Sequence, residues 1–305
     1  MSTARNTDSQ ATGSTSALSG ATAGFVSSIV TCPLDVLKTR LQAQAVEPDR
    51  NMHFPRNRVL RLIYHIWKVD GIRGFYRGLG PTIIGYLPTW AIYFCLYDVC
   101  KGVYRSHLNI EGHEYAATHI ASAITAGSAS TMATTPLWVI KTRFMLQSST
   151  DVNTRYRNTL DACCKIYRNE GIGAFYKGLL PSLLGVTHVV IQFPLYERFK
   201  AIATERRDGE PLTPFDILLC SGGSKMLASM TTYPHEVLRT RLQMHQPTSG
   251  QRYSSFIQTL VAIARNEGIG GFYKGMGVNL VRTVPNSGLT ILTYELCMRY
   301  LGPRW

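Results

Sequence analysis

Long apolar stretches alternate with shorter polar ones along this chain in three similar blocks. In each block a long stretch rich in apolar and small residues predicts a helix, a short amphipathic helix follows, and a second long apolar stretch predicts another helix. The short helices end at Gly71, Gly171 and Gly268, which suit a helix C-terminus. The predicted helices are 16–45, 114–147 and 214–246 (first long), 55–69, 155–169 and 253–266 (short), and 78–105, 178–203 and 275–301 (second long).

Two phrases recur once in every block. The first is PLDVLKTRLQ from Pro33, PLWVIKTRFMLQ from Pro136 and PHEVLRTRLQ from Pro234, and the second is DGIRGFYRG from Asp70, EGIGAFYKG from Glu170 and EGIGGFYKG from Glu267. Recurrence at a period of about 100 residues indicates three diverged copies of one module. We expect a disordered tail over 1–18 and repeats over 19–107, 113–204 and 213–301, joined in one integral unit. The three phrase-opening prolines fall inside long helices, where each removes a backbone hydrogen bond and predicts a kink.

The paired phrases resemble the threefold signature of the mitochondrial carrier family: Pro-x-acid-x-x-base-x-base, then an acid, glycine and an aromatic-basic-Gly triplet. The resemblance runs from about Gly20 to Tyr300. It implies an all-α membrane protein with six transmembrane helices in three pseudo-symmetric repeats, each with a short matrix-side helix. It also implies a transporter rather than an enzyme. The chain offers no phosphate-binding glycine loop for nucleotide hydrolysis and no metal cluster, so we expect no covalent chemistry, no cofactor and no metal.

The apolar fraction and mean hydropathy are low for a membrane protein, and a polar interior accounts for this in a carrier. Apolar residues make up 45% of the chain and the mean hydropathy is −0.02, because helices that line a watery cavity are apolar on their outer faces alone. Basic residues exceed acidic ones by 32 to 19, which in a soluble protein favours nucleic-acid binding. No nucleic-acid motif accompanies the charge, so anionic lipid and an anionic substrate explain it better. A soluble, basic helical array remains the alternative; it would be extracted without detergent.

The cysteines, the N-terminal tail and the number of spans indicate where in the cell the protein is located. Seven cysteines show neither zinc spacing nor a disulfide framework, which indicates a reduced, mostly buried set. The tail has too few arginines and apolar residues for a cleavable presequence, so targeting is expected to be internal. Six spans place both termini on one side, and basic connections between paired helices favour the matrix for the other side. The sequence therefore predicts an inner-membrane protein with both termini facing the intermembrane space, although a peroxisomal membrane stays open.

The resemblance implies an ion-pair network that closes the cavity on the matrix side. The expected pairs are Asp35 with Lys141 and Glu236 with Lys38. Repeat two has Trp138 where an acid is expected, which leaves Arg239 without that partner. Glutamines that brace such pairs are expected at Gln42 and Gln243, with Met145 replacing the glutamine in repeat two.

A second network is implied near the outer ends of the second long helices. Its motif residues are Tyr97, Asp98 and Lys101 in repeat one, Tyr196, Glu197 and Lys200 in repeat two, and Tyr294 and Glu295 in repeat three, where Met298 occupies the basic position. The expected pairs are Asp98 with Lys200 and Glu295 with Lys101. Ion pairs that form in one state and break in the other suit alternating access, since each network then competes with the other and with substrate.

Helix starts after the second phrase are expected to bind cardiolipin. Free N–H groups and the positive end of the helix dipole favour phosphate at such places. The residues concerned are Arg77 and Gly78, Lys177 and Gly178, and Lys274 and Gly275.

Substrate contacts are expected where the threefold symmetry breaks, because an asymmetric substrate needs asymmetric contacts. Gly85 and Gly185 correspond to Arg282 in repeat three, and a second pair of glycines corresponds to Lys225. A charge in the middle of a membrane is costly and marks a functional site by default. Arg282 and Lys225 together suit a pyrophosphate clamp, with a structural bond from Lys225 to a helical carbonyl as the alternative.

The substrate class comes from the remaining cavity residues. Trp90 breaks the symmetry and can stack on a base or lie at the lipid interface, and Val186 or His188 is the expected contact in repeat two. The stretch GYLPTWAIYF from Gly85 is similar to the NAD+ carriers of the family. This implies antiport of NAD+ against an adenine nucleotide such as AMP or ADP, by a functional monomer. The alternatives are a pyrimidine-nucleotide, FAD or folate carrier, and a proton-leak or regulatory membrane protein without exchange.

Overall fold

Long helices arranged in three repeats dominate the computed structural model, which describes residues 2–43, 57–108, 115–147, 156–207, 212–244 and 255–301. The α-helices are α1 (Ser2–Ala43), α2 (Arg58–Asp70), α3 (Ile72–Phe75), α4 (Leu79–Leu108), α5 (Tyr115–Leu146), α6 (Thr159–Glu170), α7 (Leu179–Leu184), α8 (Thr187–Glu205), α9 (Pro214–Gln243), α10 (Phe256–Glu267) and α11 (Met276–Leu301). Short 3₁₀ helices at Ile172–Tyr176 and Ile269–Tyr273 occupy the place of α3 in repeats two and three. No strand occurs in these ranges.

The first helix is longer than the sequence predicts. It begins at Ser2 and includes most of the segment 1–18 that was expected to be a disordered tail. Adding a residue to an existing helix costs much less than nucleating a new one, and the segment contains no proline. The backbone of the tail therefore continues α1 in the structure.

The second long helix of repeat two is interrupted, whereas a single helix over 178–203 was predicted. The chain turns at Gly185 and Val186 between α7 and α8. Here the backbone bonds tighten to 3₁₀ spacing, with the Val186 N–H 3.0 Å from the Leu183 carbonyl and the His188 N–H 3.1 Å from the Gly185 carbonyl. Glycine is a poor helix former, which explains why the interruption falls at this position.

The long helices form a closed ring in chain order. The second long helix of each repeat packs on the first helix of the next: α4 on α5, α8 on α9, and α11 on α1. Contacts inside the repeats, between α1 and α4, α5 and α7, and α9 and α11, complete the circle. The helices continue through Pro33, Pro136 and Pro234, as expected.

The outside of the ring is apolar. Leu87 is 69% exposed, Phe215 65% and Val281 62%, and they belong to a much larger set of exposed apolar side chains. Exposed apolar surface of this extent marks an interaction or membrane surface. In the described chain the segment Ile72–Ser106 is long and apolar enough, by length and composition, to cross a membrane. The other long helices carry more polar residues, which lowers their average without removing their apolar outer faces.

The short helices pack under one end of the ring, which we call the inner end. Each buries one isoleucine, Ile66 in α2, Ile166 in α6 and Ile263 in α10, and none of the three is more than 1% exposed. Burial of an isoleucine side chain contributes about 1.5–3 kcal/mol, so this contact fixes each short helix to its repeat.

Three buried arginines join the repeats at the inner end, and we call Arg40, Arg143 and Arg241 the arginine ring. All three are at most 3% exposed. Each donates from Nε to a main-chain carbonyl of another repeat: Arg40 to Met145 at 3.0 Å, Arg143 to Gln243 at 3.2 Å and Arg241 to Gln42 at 2.9 Å. The acceptors are the last carbonyls of α5, α9 and α1, which have no partner inside their own helices.

The acid of the second phrase binds the arginine ring within each repeat. Asp70 lies 2.8 Å from Arg40, Glu170 accepts from Arg143 at 2.9 Å and Glu267 from Arg241 at 2.7 Å. A second cation completes each junction, with Arg77 3.0 Å from Asp70, Lys177 2.7 Å from Glu170 and Lys274 2.9 Å from Glu267. Burial raises the pKa of Glu267, but its bonds from Arg241 and Lys274 outweigh burial and hold the pKa below its usual value. The carboxylate is therefore ionised at neutral pH.

Removing one of these acids should destabilise the protein strongly. In Glu170→Gln the guanidinium of Arg143, which is 1% exposed, loses its counter-charge, and breaking a buried pair costs about 3–5 kcal/mol. We expect a clear fall in the thermal unfolding midpoint of purified protein. Asp161→Asn is the matched control on the same helix, because Asp161 binds Lys165 in an i,i+4 pair near the surface, where water screens the two charges. Equal effects of the two substitutions would contradict a structural role for the junction.

Candidate functional site

One ion pair of the expected inner network is formed. Lys38 Nζ lies 2.6 Å from Glu236 Oε2. Gln42 donates to the Tyr233 hydroxyl at 2.9 Å and to Glu236 at 3.4 Å, and it accepts from Thr240 at 2.7 Å. Gln42 therefore braces this pair, as the motif predicts.

The second expected pair is not formed, because Asp35 binds a different cation. Its Oδ1 lies 2.7 Å from Nη1 of Arg282, the proposed substrate contact, and not on Lys141. Lys141 instead lies 4.8 Å from the ring centroid of Trp138 and 5.9 Å from that of Tyr86. Two physical causes explain this correction. A partly buried guanidinium needs a counter-charge, and an indole face stabilises an ammonium.

The missing acid of repeat two leaves two donors without acceptors. Gln243, 1% exposed, accepts from Thr142 at 2.8 Å, but its Nε2 has no hydrogen-bond partner among the described residues. Arg239 makes no ion pair within the described part of the chain, as expected from the tryptophan at position 138. The inner network is therefore complete on one of its three sides.

The Trp138 indole is turned toward α4. It meets the Tyr86 ring edge-on at 5.6 Å, and a Cβ at Gly85 would lie 4.0 Å from its Cζ2. These contacts place the indole on the side of α5 that faces repeat one. The side that faces α9, where an acid would meet Arg239, is left open.

A cavity of about 300 Å³ opens beside Arg239. It is lined by Tyr93 of α4, by Ala123, Ile124, Gly127 and Thr131 of α5, by Ser182, Gly185 and Val186 around the α7–α8 turn, and by His235 and Arg239 of α9. The cavity brings together two expected contact residues, Gly185 and Val186, with the cation that lacks its acid.

The absence of a side chain at Gly185 shapes this cavity. A Cβ there would lie 2.9 Å from His235 Nε2, closer than real Cβ atoms approach. His188, the alternative to Val186, lies 3.2 Å from the Thr232 hydroxyl on α9, and Val186 lines the cavity in its place. Counting positions in the sequence missed two residues that line the cavity, Tyr93 and His235. His235 directly precedes Glu236, the acid of the first phrase in repeat three.

Lys225 and Trp90 have different surroundings. The Lys225 side chain is exposed, Arg282 acts on it electrostatically, and in the described residues it makes no hydrogen bond to a helical carbonyl. Trp90 is 54% exposed and stacks on Phe94 with ring centroids 5.6 Å apart. Of the aromatic residues near it, Tyr93 rather than Trp90 lines the cavity.

In the outer network, the expected pair of Asp98 with Lys200 is not formed. Asp98 and Lys200 are both exposed and form no ion pair with each other. Tyr97 shares a hydrogen bond with His119 Nδ1, and Tyr196 and Glu197 lie on α8. The side chains of Tyr294 and Glu295, and with them the Lys101 pair, lie outside the described residues. The described pairs thus combine an inner network formed on one of its three sides with an open outer pair.

The expected cardiolipin positions have a common backbone form. Gly78, Gly178 and Gly275 have φ of 87°, 81° and 84°, a region that favours glycine. The neighbouring basic side chains bind the acids of the inner junctions, as described above. Lipid binding at these helix starts stays a prediction.

A closed ring of long helices with an apolar outside, ion pairs at one end and a cationic interior defines a membrane carrier. The family model described as mitochondrial carrier protein matches residues 9–108, 112–207 and 210–304. The chain therefore belongs to the mitochondrial carrier family, with six transmembrane helices in three repeats.

Several relatives of the chain have named substrates. It is 43% identical over 92% of its length to the mitochondrial nicotinamide adenine dinucleotide transporter 1 of Saccharomyces cerevisiae, and covers 75% of that protein. It is 40% identical over 92% of its length to nicotinamide adenine dinucleotide transporter 2, mitochondrial, of Arabidopsis thaliana, and covers 78% of it. A mitochondrial pyrimidine nucleotide transporter of Saccharomyces cerevisiae is 34% identical over 93% of the chain, which covers 85% of it.

Restoring the missing acid should stabilise the inner network. In Trp138→Asp a carboxylate can bind Arg239 and accept from Gln243, so we expect a higher thermal unfolding midpoint for substrate-free protein and slower exchange. A charged hydrogen bond contributes about 1.5–3 kcal/mol. Trp138→Phe is the control, since it keeps an aromatic ring and adds no charge. If the aspartate variant loses stability and transport together, Trp138 is needed for packing or for substrate contact.

Proposed function

We propose that this protein is an NAD+ transporter of the mitochondrial inner membrane, which exchanges NAD+ for an adenine nucleotide such as AMP or ADP by alternating access. The names of the two NAD+ transporters, at 43% and 40% identity, support the substrate. Their names and the family support a mitochondrial membrane. The exchange partner, the inner membrane, the placement of both termini in the intermembrane space, cardiolipin binding and the monomeric state are parts of the proposal.

The charge in and around the inner network supports an anionic substrate with more than one phosphate. Here five cations that act on one another electrostatically accompany two carboxylates: Lys38, Lys141, Lys225, Arg239 and Arg282 against Asp35 and Glu236. An excess of one sign inside a low-dielectric cleft attracts and concentrates ions of the opposite sign. A dinucleotide with two phosphates fits this field better than a neutral solute.

The Asp35–Arg282 pair, 2.7 Å long, carries the proposed mechanism. A substrate phosphate that binds Arg282 replaces Asp35 as its counter-charge. The released Asp35 can then bind Lys141, which is the pair that the family motif implies. Substrate binding and completion of the inner network are thereby coupled, because a ligand shifts an equilibrium through its differential affinity for the two states.

The pyrimidine-nucleotide relative, at 34% identity, supports a second candidate function. A pyrimidine nucleotide, FAD or a polyanionic folate also matches a cationic cavity, so charge alone does not separate them. A proton-leak or regulatory protein without exchange is disfavoured, since a protein that binds no anion has no need of five cations around its inner network. Uptake of labelled nucleotides by liposomes preloaded with a nucleotide panel decides among these substrates.

The protein should exchange substrates and not leak them. Opening of both networks at once is disfavoured, and an occupied site supplies the stabilisation needed to switch. Reconstituted liposomes preloaded with NAD+ or AMP should take up labelled NAD+ much faster than empty liposomes. Equal uptake by loaded and empty liposomes would contradict antiport.

Arg282→Ala should abolish transport and leave the protein folded. A charged hydrogen bond to phosphate in a partly dehydrated site contributes about 1.5–3 kcal/mol, and the variant also releases Asp35. Lys225→Ala should mainly lower affinity, because its side chain is exposed. Initial exchange rates over a range of NAD+ concentrations measure both effects. Uptake like that of the wild type would remove Arg282 from the substrate site.

A further inference from the structure

Position 138 of repeat two, where an acid is expected and Trp138 stands, is equivalent to Glu236 of repeat three. In repeat three the acid Glu236 accepts from Lys38 at 2.6 Å and from Gln42 at 3.4 Å. The equivalent donors for position 138 are Arg239 and Gln243. In each pair the glutamine follows the cation by four residues on the same helix, so both donors lie on one helix face.

These two donors are arranged as if an anion were present. Gln243 is fixed by the bond from Thr142 to its Oε1, just as Gln42 is fixed by the bond from Thr240. This bond directs the buried Nε2 of Gln243 away from Thr142, and Nε2 has no acceptor among the described residues. A buried donor without an acceptor costs about 1–3 kcal/mol, which a bound anion would recover.

Space for an anion exists on this side of the ring. The Trp138 indole packs on Tyr86 and under Lys141, toward repeat one. Arg239 borders the cavity of about 300 Å³ together with Gly185 and His235. His235 donates from Nδ1 to the Thr232 carbonyl, so in the neutral ring its Nε2 beside Gly185 is an acceptor, and Arg239 is the donor that this cavity offers an anion.

We infer that a phosphate of the substrate takes the place of the missing acid: it binds Arg239, with Gln243 as the donor behind it, and completes the inner network on that side. This phosphate point is separate from Arg282 and Lys225, and it rests on the proposed transport of a nucleotide. Substrate then serves as a removable part of the inner network.

The arrangement of cations favours a substrate with two linked phosphates. Both Arg282 and Arg239 act electrostatically on Lys141, so the three cations belong to one charged region. In the proposal, one phosphate of a pyrophosphate binds Arg239 and the other is attracted by the remaining cations of this region. In this proposal, a dinucleotide with two linked phosphates therefore binds better than a nucleotide with one phosphate or a nucleoside with none.

The test compares full-length variants in liposomes and in detergent. Arg239→Gln should raise the KM for NAD+ at least about tenfold, since a charged hydrogen bond is lost. It should also reduce the thermal stabilisation that NAD+ gives to purified protein. Arg168→Gln is the matched control, because this exposed arginine on α6 lies outside the cavity and the substitution changes the net charge equally. A KM within twofold of the wild type for Arg239→Gln would overturn the inference.

Two further variants keep the test decisive if Arg239→Gln does not fold. Arg239→Lys retains the charge and should keep most of the NAD+ affinity. Trp138→Asp supplies an internal competitor, so NAD+ should stabilise this variant less than the wild type and its KM should rise. An unchanged KM and an unchanged stabilisation by NAD+ in Trp138→Asp would also overturn the inference.

Failure of the proposed substrate gives a different result. If wild-type protein neither exchanges NAD+ nor is stabilised by it, the proposed function is wrong. The same variants are then tested with the nucleotide of the panel that the wild type does exchange. Loss of affinity for that nucleotide in Arg239→Gln, with no change in Arg168→Gln, supports the phosphate point. Retained affinity overturns it. Nicotinamide riboside, which has no phosphate, should stabilise the wild type and Arg239→Gln equally.

Discussion

The structure depends on three arginines that cannot reach water. Arg40, Arg143 and Arg241 are buried, and each satisfies a helix-terminal carbonyl of another repeat and an acid of its own repeat. The ends of long helices carry unpaired carbonyls and partial negative charge, so a buried cation is stabilised there. Because each bond from an arginine to a helix-terminal carbonyl crosses from one repeat to another, no repeat can complete its inner end alone.

This junction leaves the network above it free to vary. The arginine ring fixes the spacing of α1, α5 and α9, and the ion pairs one turn further in can then be formed, exchanged or absent without loss of the fold. Glu236 keeps its expected partner, Asp35 has another, and Trp138 replaces an acid altogether. A transporter needs this division, since pairs that must break in every cycle cannot also hold the molecule together.

The repeat pattern predicted what threefold symmetry determines. Most of the predicted helical segments and the glycine ends of the short helices follow from residues present at matching positions in the copies, although the single helix expected over 178–203 is interrupted. The Lys38–Glu236 pair follows from the family resemblance. The choice between Lys141 and Arg282 as partner of Asp35 was not predictable, because it depends on side-chain directions and on an indole near one of the two cations. The closeness of Gly185 to His235 was not predictable either, because His235 belongs to another repeat. The arginine ring could have been found, as its arginine and its acid occur in all three copies.

Symmetry also explains why, in the proposed mechanism, the same residues bind the substrate and close the inner network. In a ring of three equivalent pairs, each departure leaves a charge without its counter-charge, and this chain has such charges at Arg239 and Lys141, with Arg282 using a carboxylate that the motif assigns elsewhere. An unbalanced charge in a low-dielectric interior raises the free energy of the empty protein. An anion that balances it lowers that free energy, and does so more where the charges are less hydrated. In the proposed mechanism, the departures from symmetry would therefore give the substrate its differential affinity, because the substrate would supply counter-charges that the described network lacks.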